Sequence, residues 1–157
     1  MPRPIDAQHL DAQLASAREL YARLVFVTGQ RGSGKSRLLS ETASRCNFPV
    51  LNVGERLAER LMGLPARQRA ARAAPELDLL VQQAGSETVA LDHIEVLFAA
   101  ELQIDVGRVL RATSRNTTLL VAWPGEVSDA ELSYATPDHP EYHHIPIEGV
   151  LVSSLSH

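Results

Sequence analysis

Cysteine, long apolar runs and an excess of basic charge are what this sequence lacks. Cys46 is the only cysteine among 157 residues, so neither an intramolecular disulfide nor a cysteine metal cluster can form. No apolar run approaches the ~20 residues that span a bilayer, and the first residues lack the apolar core of a secretion signal. The formal net charge is −4, which argues against a uniformly basic nucleic-acid binder but leaves a local contact with DNA open. We therefore expect a soluble cytoplasmic protein with no membrane contact.

The chain alternates short apolar runs with segments of helical pattern. The apolar runs are too short for helices, and such runs are typical of strands buried on both faces of a parallel sheet. The alternation predicts an α/β fold with a mostly parallel sheet, right-handed crossovers and helices on both faces. At this length we expect one domain over residues 1–157, with an N-terminal helix in 1–22 and the core in 23–157. The predicted strands are Leu24–Thr28, Pro49–Asn52, Thr88–Leu91 and Thr118–Trp123, with one or two more in His144–Ile147 and Val150–Val152.

Apolar spacing and capping signals predict the helices. Four apolar residues recur at three- and four-residue spacing, which predicts a buried stripe on a helix from Asp6 to about Ala22. Pro65 and Pro75 are each expected to start a short helix, because proline is tolerated in the first turn. The stripe consists of Leu10, Leu14, Ala17 and Tyr21. The other helices are expected from Lys35 to before Asn47, from about Glu101 to Thr113, and from Asp129 to Tyr134 with Ser128 as its cap.

Residues 29–36 match the phosphate-binding (Walker A) pattern G-x-x-x-x-G-K-[ST] at every fixed position, between a predicted strand and a predicted helix. Glycines allow positive φ and bring backbone N–H groups close to phosphates, and the positive end of the following helix adds to the same site. Lys35 is expected to reach the β- and γ-phosphates and to act in catalysis, and Ser36 is expected to supply a hydroxyl to Mg²⁺. ATP is the expected nucleotide by default, because no guanine-recognition motif such as N-K-x-D is present. The predicted nucleotide contacts are Gly29, Gln30, Arg31, Gly32, Ser33, Gly34, Lys35, Ser36 and Arg37.

A nucleotide site of this type also needs a carboxylate that holds Mg²⁺ at the end of a neighbouring buried strand. Asp92 directly follows the apolar run TVAL and is expected to take that role, although an acid there also suits a helix N-cap. In many ATPases of the additional-strand class the next residue is a catalytic glutamate, whereas here it is His93, which either contacts phosphate or caps the turn. Glu95 lies about one helical turn after Asp92, so it is either the base that activates water or a surface glutamate.

Two arginine-rich segments are further candidates. Arg115 follows Arg108 and Arg111, and it either stabilises charge on the transferred phosphoryl group, in cis or from a neighbouring subunit, or is a partner of the helix dipole. Residues 114–116 and Trp123 are expected near the nucleotide end of the sheet, where Trp123 either packs in the core or donates a hydrogen bond in place of a polar sensor. The second segment either binds nucleic acid, an acidic partner or another subunit, or is a solvated helix face; it contains Arg56, Arg60, Arg67, Arg69 and Arg72.

Three segments together resemble BrxF, the family of small P-loop proteins encoded in bacterial BREX phage-defence operons. They are the glycine-rich pattern, LDHIEVLF from Leu91 to Phe98, and SRNTTLLVAWPG from Ser114 to Gly125, of which the last discriminates best. The resemblance spans roughly Tyr21 to Pro146. It implies a bacterial cytoplasmic protein with ATPase-type nucleotide binding that works with other BREX components, including a DNA methyltransferase, against phage DNA. It does not by itself imply hydrolysis.

Three functions stay open from the sequence. The first is a Mg²⁺-dependent ATPase with an AAA+-like core of the additional-strand type. We expect only about one helix and one or two strands after the fourth strand, without the helical lid of such proteins, and therefore expect self-association or another protein to complete the site. The second function is a nucleotide-dependent binding module with little turnover, which His93 suggests. The third is a small-molecule kinase, for which the arginine-rich segment after the second strand is the only candidate lid or acceptor pocket.

Overall fold

Residues 7–155 of the chain are described in a computed structural model. The start of the first predicted helix, at Asp6, lies outside these residues. None of the helices in the described range combines the length and the apolar character needed to cross a membrane. The α-helices of that range are α1 (Ala7–Ala17), α2 (Lys35–Cys46), α3 (Val53–Leu61), α4 (Ala66–Gln83) and α5 (Val106–Thr113), and two short 3₁₀ turns, Ile94–Phe98 and Ala100–Leu102, precede α5.

The strands form a five-stranded sheet and a smaller three-stranded one. They are β1 (Leu24–Thr28), β2 (Val50–Asn52), β3 (Thr88–Asp92), β4 (Thr118–Ala122), β5 (Glu126–Val127), β6 (Glu131–Tyr134), β7 (His143–Pro146) and β8 (Leu151–Ser154).

The larger sheet has the order β2-β3-β4-β1-β8, and each pair of neighbouring strands is parallel. Strand β1 pairs on both sides, so that Val25 lies opposite Leu120 of β4 and Leu151 of β8. Because the strands are parallel, their C-terminal ends share one edge, here called the carboxyl edge, and their N-terminal ends share the other, the amino edge. The expected α/β architecture with a mostly parallel sheet is confirmed.

Both faces of the larger sheet are covered, as expected. Consecutive residues of a strand point to opposite faces. In β1, Leu24 and Phe26 belong to the core that includes α3, α4 and α5, whereas Val25 and Val27 belong to the core that includes α1 and α2. All four side chains are fully buried. Burial on both faces explains why the strands are continuous apolar runs rather than alternating ones.

The small sheet is antiparallel, with the order β5-β6-β7, and is anchored where β4 ends. The indole N–H of Trp123 donates to the carbonyl oxygen of Ser133 at 3.0 Å, and its buried ring makes edge contacts with Phe26 and Phe98. Trp123 is therefore a core residue, which decides between its two sequence interpretations. A Cβ at Gly125 would stand 1.8 Å from the Ser133 carbonyl oxygen, so only glycine allows this close approach to β6.

Helix α4 continues through Pro75, so the predicted new helix at this proline is wrong. The prediction rested on the backbone N–H donor that proline lacks. Burial of Ala73, Leu77 and Leu80 on the same helix face holds the segment in one piece. Pro65, in contrast, stands at the N-cap of α4, which confirms its predicted place at a helix start.

Residues Glu131–Tyr134 form β6, so the predicted helix from Asp129 to Tyr134 is also wrong. The hydroxyl of Ser128 does accept hydrogen bonds from the backbone N–H groups of Ala130 and Glu131, at 3.4 Å and 3.3 Å. These bonds cap a turn, after which the chain pairs with β5 and β7 instead of winding into a helix.

Two helix boundaries differ from the sequence predictions. Helix α1 ends at Ala17, so Tyr21 is 76% exposed and lies outside the buried stripe. Helix α5 begins after Asp105 rather than near Glu101, because the Asp105 carboxylate accepts a hydrogen bond from the Arg108 N–H at 3.1 Å and so caps the helix there.

Candidate functional site

The carboxyl edge carries a glycine-rich loop, residues 29–34, between β1 and α2. Gly32 and Gly34 have φ values of 80° and 101°, which L-residues rarely adopt. A Cβ at Gly29 would lie 2.5 Å from Ser33 Oγ and 3.1 Å from Leu155 Cβ. The backbone conformation of the loop therefore favours glycine at positions 32 and 34, whereas a side chain at position 29 would require Ser33 and Leu155 to shift.

Ser33 supplies a free donor inside this loop. Its Oγ is shielded from solvent and has no hydrogen-bond partner among residues 7–155. The loop runs into the first turn of α2 at Lys35, where backbone N–H groups have no partner within the helix. A phosphate oxygen is an acceptor that suits both kinds of donor. The loop therefore fits a phosphate group.

Lys35 folds back over the loop. Its ammonium donates to the carbonyl oxygen of Gly29 at 2.8 Å. Burial lowers the pKa of Lys35 below its usual value, and the negative charges of Glu95 and, to a smaller extent, Asp92 act in the opposite direction. The fold thus brings three of the predicted site residues into one electrostatic neighbourhood.

Asp92 is the last residue of β3, and its side chain is 13% exposed. Its Oδ1 accepts a hydrogen bond from the backbone N–H of His93 at 2.9 Å, and its Oδ2 lies 3.7 Å from His93 Nε2. His93 adopts a left-handed φ of 56° and stands at the N-cap of the following turn, so the N-cap position is not that of Asp92. The carbonyl oxygen of His93 accepts a hydrogen bond from the Gly54 N–H at 3.0 Å, which fixes this strained backbone.

Glu95 lies in the 3₁₀ turn Ile94–Phe98 and is exposed. Within the described part of the chain its carboxylate has no hydrogen bond or ion pair. Its charge acts on Lys35, and it contributes, after burial and Glu141, to the raised pKa of Tyr134 in β6. Glu95 is therefore an available carboxylate between the glycine-rich loop and the small sheet.

Ser36 and Asp92 have side-chain oxygen atoms that suit Mg²⁺ as ligands. Ser36 is exposed in the first turn of α2, and Asp92 supplies a carboxylate at the same edge. Mg²⁺ usually takes one or two carboxylates and completes its shell with water and substrate phosphates, so this small donor set fits it. No cluster of three or more His, Cys, Asp or Glu suited to a metal occurs in residues 7–155.

Arg37 is paired on its own helix. Its Nε lies 2.9 Å from Glu41 Oε1, one turn further along α2, and its side chain is 83% exposed. The Arg37 guanidinium is thus held by Glu41, and its predicted nucleotide contact stays a prediction.

A cleft of about 710 Å³ adjoins the glycine-rich loop and was not predicted. Residues 29–31 line one side, so the predicted contacts Gln30 and Arg31 face this cleft. The other walls include Val127 of β5, Ser133 of β6 and Leu155 after β8. Among the residues that line the cleft outside the loop, the sequence indicated only the Pro-Gly turn after β4. The local sequence contains no pattern that brings β5, β6 and β8 together.

Arg115 lies at the amino edge, because it precedes β4. A five-residue strand separates the two edges by roughly 15 Å. The Arg115 guanidinium donates to the Tyr21 hydroxyl, and its Cζ lies 4.5 Å from the centre of that ring. The expectation that residues 114–116 lie near the nucleotide end is thus wrong. A role for Arg115 at the loop of its own chain does not fit, and a role at a neighbouring copy stays a prediction.

Two arginines of the second basic segment join structural elements. Arg60 of α3 pairs with Glu76 of α4 at 3.0 Å, and Arg69 pairs with Glu101 at 3.2 Å. Within the segment, these two side chains therefore have a structural use. Others of the segment are exposed, namely Arg56, Arg67 and Arg72.

Comparison with known proteins supports the fold. Neither a protein-family model nor a curated protein matches the chain. Among solved structures, the chain is similar to PCH-2 of C. elegans, a AAA+ ATPase, with a TM-score of 0.52 and 15% sequence identity. The similarity covers 96% of this chain and 41% of the PCH-2 chain, so the chain spans less than half of that protein. At this identity the similarity shows only that the two chains share a fold.

Proposed function

We propose that this chain is a small P-loop ATPase that binds ATP with Mg²⁺ at the glycine-rich loop. The observation that carries the proposal is the position of Lys35, whose ammonium lies 2.8 Å from the Gly29 carbonyl oxygen under the influence of Glu95 and Asp92. A lysine on a glycine loop with carboxylates close by is the arrangement that phosphoryl transfer uses. The AAA+ ATPase-like fold is consistent with this function.

Phosphate binding follows from the donors at the loop. Backbone N–H groups and Ser33 Oγ donate to phosphate oxygens, and Lys35 moves from the Gly29 carbonyl oxygen to the β- and γ-phosphates. Ser36 and Asp92 would hold Mg²⁺, which when bound would neutralise charge on the phosphates. One lysine, one bound cation and the helix N-terminus would thus offset part of the negative charge of a triphosphate.

Hydrolysis requires a base and positive charge near the γ-phosphate. Glu95 takes a proton from water while the water oxygen bonds to the γ-phosphorus and the bond to the β–γ bridging oxygen breaks, which yields ADP and phosphate. Arg115 lies at the amino edge of its own chain, so if this arginine meets the developing charge it does so from a neighbouring copy. We therefore expect hydrolysis to depend on assembly.

The cellular role is proposed from the resemblance to BrxF. Segments 91–98 and 114–125 support a protein that acts in the bacterial cytoplasm with other BREX phage-defence components, as a homo-oligomer or in complex with them. Direct DNA contact is testable as binding that weakens steeply with salt, because phosphate contacts release counterions. Phage plating on cells that carry wild type or Lys35→Ala tests the role itself: equal plating contradicts it.

A nucleotide-dependent binding module is the second candidate. It is favoured by His93, which occupies the position directly after Asp92, and by the exposed position of Glu95 on a separate 3₁₀ turn. In that case ATP binding changes the affinity for a partner, and turnover is slow.

Phosphate release at saturating ATP and Mg²⁺ separates the two candidates. For an ATPase, Lys35→Ala loses binding and hydrolysis. Asp92→Asn hydrolyses ATP more slowly and needs a higher Mg²⁺ concentration, because it lacks the carboxylate that would hold the ion. Glu95→Gln keeps binding but loses hydrolysis by roughly 100-fold. Glu59→Gln, an exposed glutamate of α3, is the matched control and retains the wild-type rate. Wild-type turnover by Glu95→Gln excludes this residue as the base. ATP binding without release, alone and with candidate partners, supports the binding module.

A further inference from the structure

We propose that Tyr134 of β6 is a positioning residue for Glu95, and that it acts through the ring of Phe98. This inference rests on the proposed function, since it takes Glu95 as the base that activates water. It gives the small sheet a use at the site, because β6 then carries the side chain that steadies the turn on which Glu95 lies.

Glu95 has little of its own to orient it. Its side chain is exposed and makes no hydrogen bond or ion pair in the part of the chain that the structure describes. It lies on the 3₁₀ turn Ile94–Phe98, and hydrogen bonds in such turns have poorer geometry than those of an α-helix. The bond from the Ala99 N–H to the Val96 carbonyl oxygen, at the end of the turn, is long at 3.3 Å. The direction of the Glu95 side chain therefore depends on what packs against the turn.

Phe98, the last residue of that turn, is fully buried against three rings. Its ring stacks on that of Tyr134, with 4.2 Å between the ring centres and 10° between the planes. Trp123 and His143 contact the same ring edge-on, with ring centres 5.3 Å and 4.9 Å away. Paired aromatic rings stabilise each other beyond the area that they bury. The stack with Tyr134 is the shortest of the three contacts, so it is the main one through which the small sheet holds the turn.

Tyr134 is itself held by contacts within the protein. It pairs with His143 of β7, whose Nε2 lies 3.0 Å from the carbonyl oxygen of Ile104 just before α5. The preceding residue, Ser133, accepts the hydrogen bond from the indole of Trp123. The ring that supports Phe98 is therefore fixed to the end of β4 and to the segment before α5. A fixed support of this kind is what the orientation of a reacting group requires.

The ring of Tyr134, rather than its hydroxyl, carries the contact. Burial raises the pKa of this tyrosine most, and the negative charges of Glu141 and Glu95 raise it as well, so the hydroxyl stays neutral beside the turn. The hydroxyl makes no hydrogen bond with the described residues. Phenylalanine, which keeps the ring, should therefore replace tyrosine here.

Steady-state phosphate release tests the inference. Tyr134→Leu should lower kcat about tenfold and leave KM and ATP affinity within about twofold of wild type, because orientation and not binding is lost. Tyr134→Phe keeps the stack and should retain at least about half of the wild-type kcat. Tyr142→Leu is the matched control: this half-buried tyrosine stacks on His144 instead of Phe98, and its loss should change kcat by less than about twofold. If Tyr134→Leu does not fold, Tyr134→Met replaces it with the same expectations.

A double-mutant cycle with Glu95→Gln separates positioning from a general effect on the fold. If Tyr134 acts through Glu95, adding Tyr134→Leu to Glu95→Gln should change the residual single-turnover rate by less than about twofold. Additive losses overturn the inference. An equal loss of kcat in Tyr134→Phe and Tyr134→Leu overturns it too, because the ring would then not be the group that acts.

Amide hydrogen exchange of residues 94–99 tests the contact without turnover. These amides should exchange at least ~10-fold faster in Tyr134→Leu than in wild type, and at the wild-type rate in Tyr134→Phe and Tyr142→Leu. Equal exchange in Tyr134→Leu and wild type overturns the role of the ring while the proposed function stands. No phosphate release by wild type, alone or with candidate partners, overturns the proposed function and the positioning role with it.

Discussion

The charge of Lys35 is needed for the proposed phosphate binding, but its partial burial makes that charge unfavourable for folding. Burial lowers its pKa, so between the folded pKa and the unfolded value of 10.5 the unfolded chain holds more protons than the folded chain. Stability therefore rises with pH across this window, and the cost of the buried ammonium is fully present below it. The conflict is typical of sites that keep a charge available for a ligand.

We predict that Lys35→Met unfolds at the same urea concentration as wild type or a higher one at pH 7, while ATP binding is lost. The methionine has a similar length without the charge, so it removes the desolvation cost. The difference from wild type should shrink as the pH approaches 10.5. Urea denaturation at several pH values measures this, with Arg72→Met on the exposed face of α4 as the control. A lower midpoint for Lys35→Met at pH 7 contradicts the prediction.

The loop residues were predictable because their requirements are local: a positive φ, a close approach, and a lysine at the start of a helix. The cleft residues Val127 and Leu155 were not predictable, because they come together only when the small sheet and the end of β8 both lie near the glycine-rich loop. The error for Arg115 has a different origin. A residue just before a parallel strand lies at the amino edge of the sheet. The prediction for Arg115 used its spacing from Arg108 and Arg111 along the helix and did not take this position before β4 into account.

Among the helices, α4 offers a direct test of how packing overrides a helix breaker. Pro75 removes a backbone donor in the middle of the helix, and buried neighbours on the same helix keep it continuous. We predict that Pro75→Ala stabilises the chain by about 1–2 kcal/mol in urea denaturation. Pro65→Ala is the control, since proline at a helix start costs little. No gain for Pro75→Ala relative to Pro65→Ala contradicts this explanation.

The strands of the larger sheet were predictable from short apolar runs, because burial on both faces leaves a continuous signal. The errors arose where partners distant in sequence decide the structure. Ser128 gives the same capping signal for a turn as for a helix, and pairing with β7 makes Glu131–Tyr134 a strand. Pro75 stays inside a helix for a similar reason, because the core on that face holds it.

For the whole chain, the separation of Glu95 and Arg115 on opposite edges of the sheet predicts that hydrolysis needs two copies or a partner. Arg115→Ala should bind ATP like wild type and lose hydrolysis by roughly 100-fold if a second copy supplies the arginine. Mixing Arg115→Ala with Glu95→Gln should restore part of the activity, because one interface then holds both groups. Arg18→Ala, an exposed arginine after α1, serves as the control. Full activity of Arg115→Ala, or of a protein that stays monomeric in light scattering, contradicts assembly through this residue.

Calorimetric titration of ATP with Mg²⁺ into wild type, Lys35→Ala and Arg72→Ala decides whether the glycine-rich loop binds phosphate. We predict one ATP per wild-type chain, the same affinity for Arg72→Ala, and a loss of at least ~100-fold for Lys35→Ala, whose missing ammonium leaves the phosphates without their charged donor. Equal affinities for wild type and Lys35→Ala, or no heat of binding in wild type, would contradict a phosphate site at this loop.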